Sequence, residues 1–258
     1  MGNRWQNAMS VLFALMLREM ATRYGRSWGG YAWAVIEPVA IIALLSVVFS
    51  FYFVTPPLGE SFVLFYATGL IPFMAFNEVV NQSGSALTQN RTLIYFPPVT
   101  PLDTILARFA LSCATLIVIT MIVFAGILFY TGQGFHLSIQ HLVNAMLAAV
   151  VLGLGVGTLN ALLFTYFPVW RVIWTILNRP LFLISGIFFL FDTLPQNAQG
   201  ILWWNPLIHI IGLARKGFYP SYDGSHITIS FAYAIGIAAF IIGAALMVRN
   251  RSFIVESV

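Results

Sequence analysis

Of 258 residues, 60% are hydrophobic and only 8% are charged, where a soluble domain of ordinary composition carries roughly a quarter charged residues. That balance, with long apolar stretches recurring along the chain, excludes an ordinary soluble domain and indicates an all-α polytopic membrane protein. The net charge of +4 comes almost wholly from arginine, and the one lysine, Lys216, follows no glycine-rich loop, so ATP hydrolysis through a phosphate-binding loop is excluded for this chain.

The first segment, NAMSVLFALMLREMATRY, holds about ten consecutive apolar or small residues at 8–17. That run is too short for a hydrocarbon core of about 30 Å. Arg18, Glu19 and Arg23 follow it, with no small-residue cleavage site. The expectation is an amphipathic helix over 6–24 that lies in the membrane interface rather than a cleaved signal. Six spans are then expected, at about 33–54, 61–80, 104–130, 142–167, 172–191 and 227–248. Together they make one transmembrane domain over 1–258, with no polar region long enough for a second, soluble one.

Arginine placement sets the expected orientation. With the N-terminus in the cytoplasm, ten of the twelve basic residues fall at or near that face, and only Arg215 and Lys216 fall outside. Both termini are then cytoplasmic. Between spans five and six, residues 192–226 contain ILWWNPLIHIIGL. This run is too apolar for a free loop and too short for a span. A pair of short helices re-entering the outer leaflet satisfies both facts, provided protein or water surrounds the non-helical backbone.

Four features stand out in this apolar chain. The loop between spans two and three, LTQNRTLIYFPPVTPLDTILARF, carries the apolar run LIYF ahead of Pro97, Pro98 and Pro101. Prolines stiffen the backbone, so LIYF is either a rigid knob for a soluble partner or an interfacial loop dipping into headgroups. At the end of span two, FNEVVNQSGSA places Asn77, Asn81 and Ser85 at spacing four, beside Glu78 and Gln82. They form one polar stripe, which either faces a water-filled path or marks the solvated end of a shorter span. Glu37 in span one and Arg179 in span five both sit beside prolines, Pro38 and Pro180. They pair with each other, face a substrate, or snorkel to the interface. In span four, Gly153, Gly157 and Ala161 repeat at spacing four, a face for close helix packing within one chain or between two. Cys113 has no partner for an internal disulfide, and His136, His141, His209 and His226 lack zinc-site spacing, so no metal site is expected.

The stretch LMLREMATRYGRSWGGYAWAVIEPVAIIALLSVVF resembles the opening of ABC-2 type permeases that export bacterial polysaccharides. RTLIYFPPVTPL is similar to their coupling region, and SGIFFLFDTLPQNAQGILWWNPLIHIIGLARKGFYPSYDG to their re-entrant exit loop. The similarity covers about residues 10–250 and looks closest to the permeases of Gram-negative capsular polysaccharide exporters. Export of O-antigen, teichoic acid or another amphiphile is the alternative within the family. A secondary transporter is more distant, since no internal repeat is visible.

The resemblance implies a non-catalytic subunit of the bacterial inner membrane that works as two copies with two copies of a separate ABC ATPase. ATP and Mg would then lie on that partner and no cofactor on this chain. The cargo would be a lipid-linked polysaccharide, with periplasmic and outer-membrane export proteins beyond it and no nucleic acid. Arg91, Leu93, Ile94, Tyr95, Phe96, Pro97 and Pro98 would contact the ATPase. Arg23, Arg26, Trp28, Tyr31, Trp33, Glu37, Asn77, Glu78, Asn81 and Arg179 would form the substrate entrance and path. In that path the arginines would attract a phosphate or sugar acid, and the aromatic rings would stack on sugars or headgroups. Trp203, Trp204 and Asn205 would form the outer gate.

Overall fold

The computed structural model describes residues 13–20, 30–91, 99–131, 137–251 and 254. Helix α1 covers 13–20 of the described residues. It is followed by α2 (Gly30–Ser50), α3 (Phe62–Gly84), α4 (Ala86–Gln89), α5 (Pro101–Thr131) and α6 (Ile139–Tyr166). Then come α7 (Trp170–Ile184), a short 3-10 turn (Phe191–Thr193), α8 (Gln196–Leu202), α9 (Pro206–Phe218) and α10 (Ile229–Arg249). Among the described residues there are no strands. Helices α2, α3, α5, α6 and α10 are long and apolar enough to cross a membrane. They occupy the expected spans one to four and six, with ends within four residues of the expected ones.

At the expected fifth span, 172–191, the helix is shorter than the span read from the sequence. The helix there is α7, 15 residues long, or about 22 Å at 1.5 Å per residue. It stops where Gly186 turns the chain at φ +85°, just after Ser185, whose hydroxyl donates back to the Leu181 carbonyl. A left-handed glycine just past a helix end is a common stop. None of the α7 side chains is buried, whereas Ser185, Gly186 and Ile187, just beyond it, are.

The region 192–226 contains the two short helices expected of it, α8 and α9. Helix α9 starts with Asn205, whose side chain accepts from the Leu207 N–H, and with a proline at its first position; both are favoured helix starts. Almost every residue of α9 is buried, because it packs against α6, α3 and α10. Helix α1 presents Phe13, Leu17 and Met20 outward, while Leu15 and Glu19 are buried. An apolar outer stripe at spacing three to four suits a helix lying against lipid.

Helices α3 and α6 form the centre, with α10 against the other side of α6. The glycines of α6 make these contacts within the chain, which decides the question the sequence left open. A Cβ on Gly153 would lie 2.9 Å from the Phe76 carbonyl oxygen of α3, and one on Gly236 of α10 would lie 2.8 Å from Leu152 Cα. Leucine at Gly153 or Gly236 therefore forces the helices apart, an overpacking cost of roughly 1–3 kcal/mol or more. The melting temperature of the detergent-purified protein should fall by several degrees for either variant. Gly126→Leu should leave it unchanged, since nothing lies within 4 Å of that position.

Candidate functional site

Helices α2, α3 and α5 converge on a cavity of about 360 Å3, within the size range of small-ligand pockets. Trp33, Ala34, Glu37 and Pro38 come from α2, Asn77, Glu78 and Asn81 from α3, and Thr115 and Thr120 from α5, with Ile71, Met74, Leu116 and Ile119 between them. The spacing explains the convergence: Trp33 and Glu37 are one turn apart, as are Asn77 and Asn81, so each helix presents one face. Pro38 has no N–H, so it leaves the Ala34 carbonyl without its helical donor, and both residues line the cavity. The hydroxyl of Thr120 is buried without a partner. Chemically this wall is rich in hydrogen-bond acceptors beside an indole ring. It suits hydroxyl groups and a flat sugar face better than an isolated anion.

Five of the expected path residues thus share one cavity: Trp33, Glu37, Asn77, Glu78 and Asn81. The α3 helix continues to Gly84, so the polar stripe belongs to the helix rather than to a solvated end. Arg179 is not among the cavity residues; it is exposed on α7. No ion pair joins it to Glu37 among the described residues. The link from α7 to the cavity runs through its neighbour instead, with Asn178 Nδ2 donating to Asn77 Oδ1 at 2.8 Å. Arg23, Arg26 and Trp28 lie outside the described residues, as does the side chain of Tyr31.

A second polar cluster lies where the ends of α3, α4, α5, α6 and α10 meet around Ala86, Leu87, Ile105, Ala161 and Met247. Arg108 of α5, 4% exposed, pairs with Glu19 of α1. The same guanidinium donates to Ser85 Oγ at 3.2 Å and to Gln89 Oε1 at 2.6 Å. Arg18 donates to Asn90 Oδ1 at 3.1 Å. Leu15, Val99 and Ala107 fill the apolar gap beside these contacts. Helix α1 is thereby fastened to both ends of the expected coupling loop. Arg91 closes the near end, and at the far end Thr100 and Asp103 cap α5 reciprocally, N–H to side chain, at 2.8 and 3.2 Å. Leu93, Ile94, Tyr95, Phe96, Pro97 and Pro98 lie outside the described residues. Sequence reasoning missed Arg108 and Glu19 as a pair. The available signal was an acid in an otherwise apolar interfacial helix and an arginine one turn into a span.

The third cluster is at the other end. Trp204 is exposed, but Trp203 stacks on Phe231 of α10 at 5.2 Å. The Trp203 carbonyl accepts from His209 Nε2 at 2.8 Å, while His209 Nδ1 accepts from the Thr228 N–H at 3.1 Å. The two contacts assign His209 the neutral Nε2–H tautomer. His226, its side chain 7% exposed, reaches Asp192 Oδ1 at 3.1 Å through Nδ1, and its Nε2 is buried without a partner. Of the three expected gate residues, then, Trp204 faces outward while Trp203 and Asn205 hold helices together.

The described chain is a helical membrane protein with a cavity of mixed polar and apolar lining between three of its long helices, and with two short helices, α8 and α9, between α7 and α10. Residues 10–219 match the family model of the ABC-2 type transporter. The chain belongs to that family. It is 32% identical over 234 residues to the polysialic acid transport protein KpsM of Escherichia coli, covering 90% of each chain. It is 29% identical over 251 residues to the capsule polysaccharide export inner-membrane protein BexB of Haemophilus influenzae, covering 95% of this chain and 92% of BexB. It is 25% identical over 209 residues to the capsule polysaccharide export inner-membrane protein CtrC of Neisseria meningitidis serogroup A, covering 81% of this chain and 79% of CtrC.

Two expectations follow from the clusters. Arg108→Met leaves Glu19 buried without this cation, and breaking a buried pair costs about 3–5 kcal/mol. A large drop in thermal stability of the purified protein should result, largely restored when Glu19→Met is added. Burial holds the His226 imidazole below its ordinary value, against the pull of the Asp192 carboxylate and with His209 and Asp223 nearby. A histidine kept neutral by the fold stabilises it above its unfolded value of about 6.5, and that stability is lost as the pH falls below it. Melting temperatures between pH 7.5 and 5.5 should therefore fall more steeply for the wild type than for His226→Gln.

Proposed function

We propose that this protein is the transmembrane permease subunit of an ATP-driven ABC exporter that moves a lipid-linked capsular polysaccharide across the bacterial inner membrane. The observation that carries the reading is the acceptor-rich cavity of Trp33, Glu37, Asn77, Glu78 and Asn81 in a chain of the ABC-2 family. The functions for which its relatives are named, capsule polysaccharide export and polysialic acid transport, support the choice of cargo. The inner-membrane location is supported in the same way.

In this reading two copies of the chain associate with two copies of a separate ABC ATPase, which holds the ATP and Mg. Both termini lie in the cytoplasm, and α7 is the fifth of six crossings, completed by the turn that follows it. Helices α8 and α9 dip back into the outer leaflet around Trp203, Trp204 and Asn205. The ATPase pushes on Arg91 to Pro98 and, through the Arg108–Glu19 pair, on α1 at the same time. Arg23, Arg26 and Arg179 gather an anionic group of the cargo at the mouth, where Trp28 and Tyr31 flank it. The cavity then takes the sugar hydroxyls, with Trp33 against a ring face. Beyond the outer gate, periplasmic and outer-membrane export proteins receive the polymer.

Co-purification tests this. The wild-type chain should bring down an ABC ATPase encoded beside it, and Phe96→Asp should lose that association and the surface polysaccharide while still inserting in the membrane. An unchanged pull-down by Phe96→Asp would remove the coupling role, and normal surface polysaccharide after deletion of the gene would remove the cargo.

A further inference from the structure

Arg215 is the largest fully buried side chain among the described residues, yet no carboxylate is among its hydrogen-bond or ion-pair partners. Its two terminal nitrogens donate to backbone carbonyls, Nη1 to Phe189 at 2.8 Å and Nη2 to Ile187 at 3.0 Å. Its guanidinium carbon lies 4.3 Å from the centre of the Phe65 ring. A buried cation without a counter-charge is costly to keep, so a leucine would serve better if filling space were the only task. What requires arginine is the segment it grips. Residues 185–190 are non-helical and mostly buried, and their carbonyls need donors that no helix supplies. A planar fork meets two such carbonyls at once, as a lysine point charge cannot. The grip is close: a Cβ on Gly69 of α3 would lie 3.1 Å from Ile187 Cα.

The same turn is held from a second side. Asn205 Nδ2 donates to the Ile184 carbonyl at 3.2 Å, at the last residue of α7. Its Oδ1 accepts the Leu207 N–H at 3.0 Å, starting α9. One side chain thus caps two helices. By contrast, α7 itself buries no side chain. Along its length it is attached by hydrogen bonds from Trp170 to Asn160, Arg171 to Thr88 and Asn178 to Asn77, at 3.0, 3.2 and 2.8 Å, and by the half-buried Trp174, Leu181 and Phe182, the Phe182 ring lying 5.2 Å from that of Phe73. Helix α7 is thus a largely exposed rod whose C-terminal end runs into this gripped turn, and Gly186 at φ +85° supplies the bend there.

We propose that Arg215, with Asn205, is a positioning residue of transport that makes the 185–190 turn a rigid joint, so that movement of α7 is transmitted to the helices α8 and α9 at the outer end. The guanidinium contacts no cargo; it acts through the backbone of the turn. Displacement of α7 at the Asn77 and Thr88 contacts reaches Trp203 and Trp204 only while the joint is stiff, as hinge movements require rigid elements on either side of the bend. The proposal rests on the reading of the chain as an ATP-driven permease.

The test uses the complete transporter with its ATPase in nanodiscs. Spin labels are placed at the exposed positions Thr175 on α7 and Ile201 on α8 in separate samples. Distances between the two copies are measured with and without ATP and vanadate. In the wild type both distances should shift, by about 2 Å or more on the scale of helix movements. In Arg215→Met the shift at 175 should persist and the shift at 201 should be lost, with export per ATP hydrolysed falling about tenfold. Arg215→Lys should behave like Arg215→Met, because its charge alone does not bridge the turn. Asn205→Asp keeps the α9 cap but removes the donor to Ile184, and it decides the matter if Arg215→Met does not fold; it should also reduce the shift at 201. Shifts at 201 that stay as large as in the wild type in the folded variants would overturn the proposal. A wild-type chain that binds no ATPase and shows no shift at either label would overturn the permease reading instead.

Discussion

The close approach of α6 to α3 and α10 is the constraint on which the remaining architecture depends. Helices in an apolar solvent gain little from burying apolar surface against one another, so they associate by backbone proximity and dispersion. Gly153 and Gly157 admit the backbone of α3, and Gly155 meets Gly236 of α10. That seam leaves α9 a bed between α3, α6 and α10. It also orients the other face of α3, with Asn77, Glu78 and Asn81, toward α2 and α5. The cavity exists because one side of α3 is committed to α6.

Among the described residues, three places show how this apolar chain handles polar groups. At one end Arg108 is buried with a carboxylate; at the other Arg215 is buried with carbonyls and a ring. Each solves the same electrostatic problem differently. The Arg108 pair joins two helices far apart in sequence, as a buried ion pair with supporting hydrogen bonds does. The Arg215 contacts satisfy a stretch of backbone that has left the helix. Between them the cavity has neither arginine nor lysine in its wall among the described residues. Helices α2 and α7 are the least buried of the long and medium elements; α2 lines the cavity and α7 reaches it through the Asn178–Asn77 hydrogen bond.

Much of the site was legible residue by residue but not as an assembly. The spacing of Asn77, Glu78 and Asn81 marked a polar face, and Glu37 was conspicuous beside Pro38. That they share a cavity with Thr115 and Thr120 depends on where α5 packs, which no local pattern records. The pairing of Glu37 with Arg179 was an equally reasonable reading of two charges at depth. It fails because the short α7 presents Asn178, not Arg179, to α3. Arg215 was read, with Lys216, as one of the two basic residues left outside by the arginine placement. Only the fold shows the α9 helix buried on all sides, which turns an apparent loop charge into a buried clamp.

Composition and periodicity by themselves determined the class of molecule: an all-helical membrane chain, its long apolar helices and the pair of short helices before the last of them. These follow from free energies that act locally, on each residue's transfer from water and each backbone group's need for a partner. Tertiary structure alone decided the length of α7, the partners of Arg108 and Arg215, and the gathering of Glu37, Glu78 and the threonines around one cavity. Those outcomes depend on contacts between residues far apart in the chain. Such contacts are set by which helix faces reach backbone distance, and that in turn by glycines whose effect appears only when a second helix is laid against them.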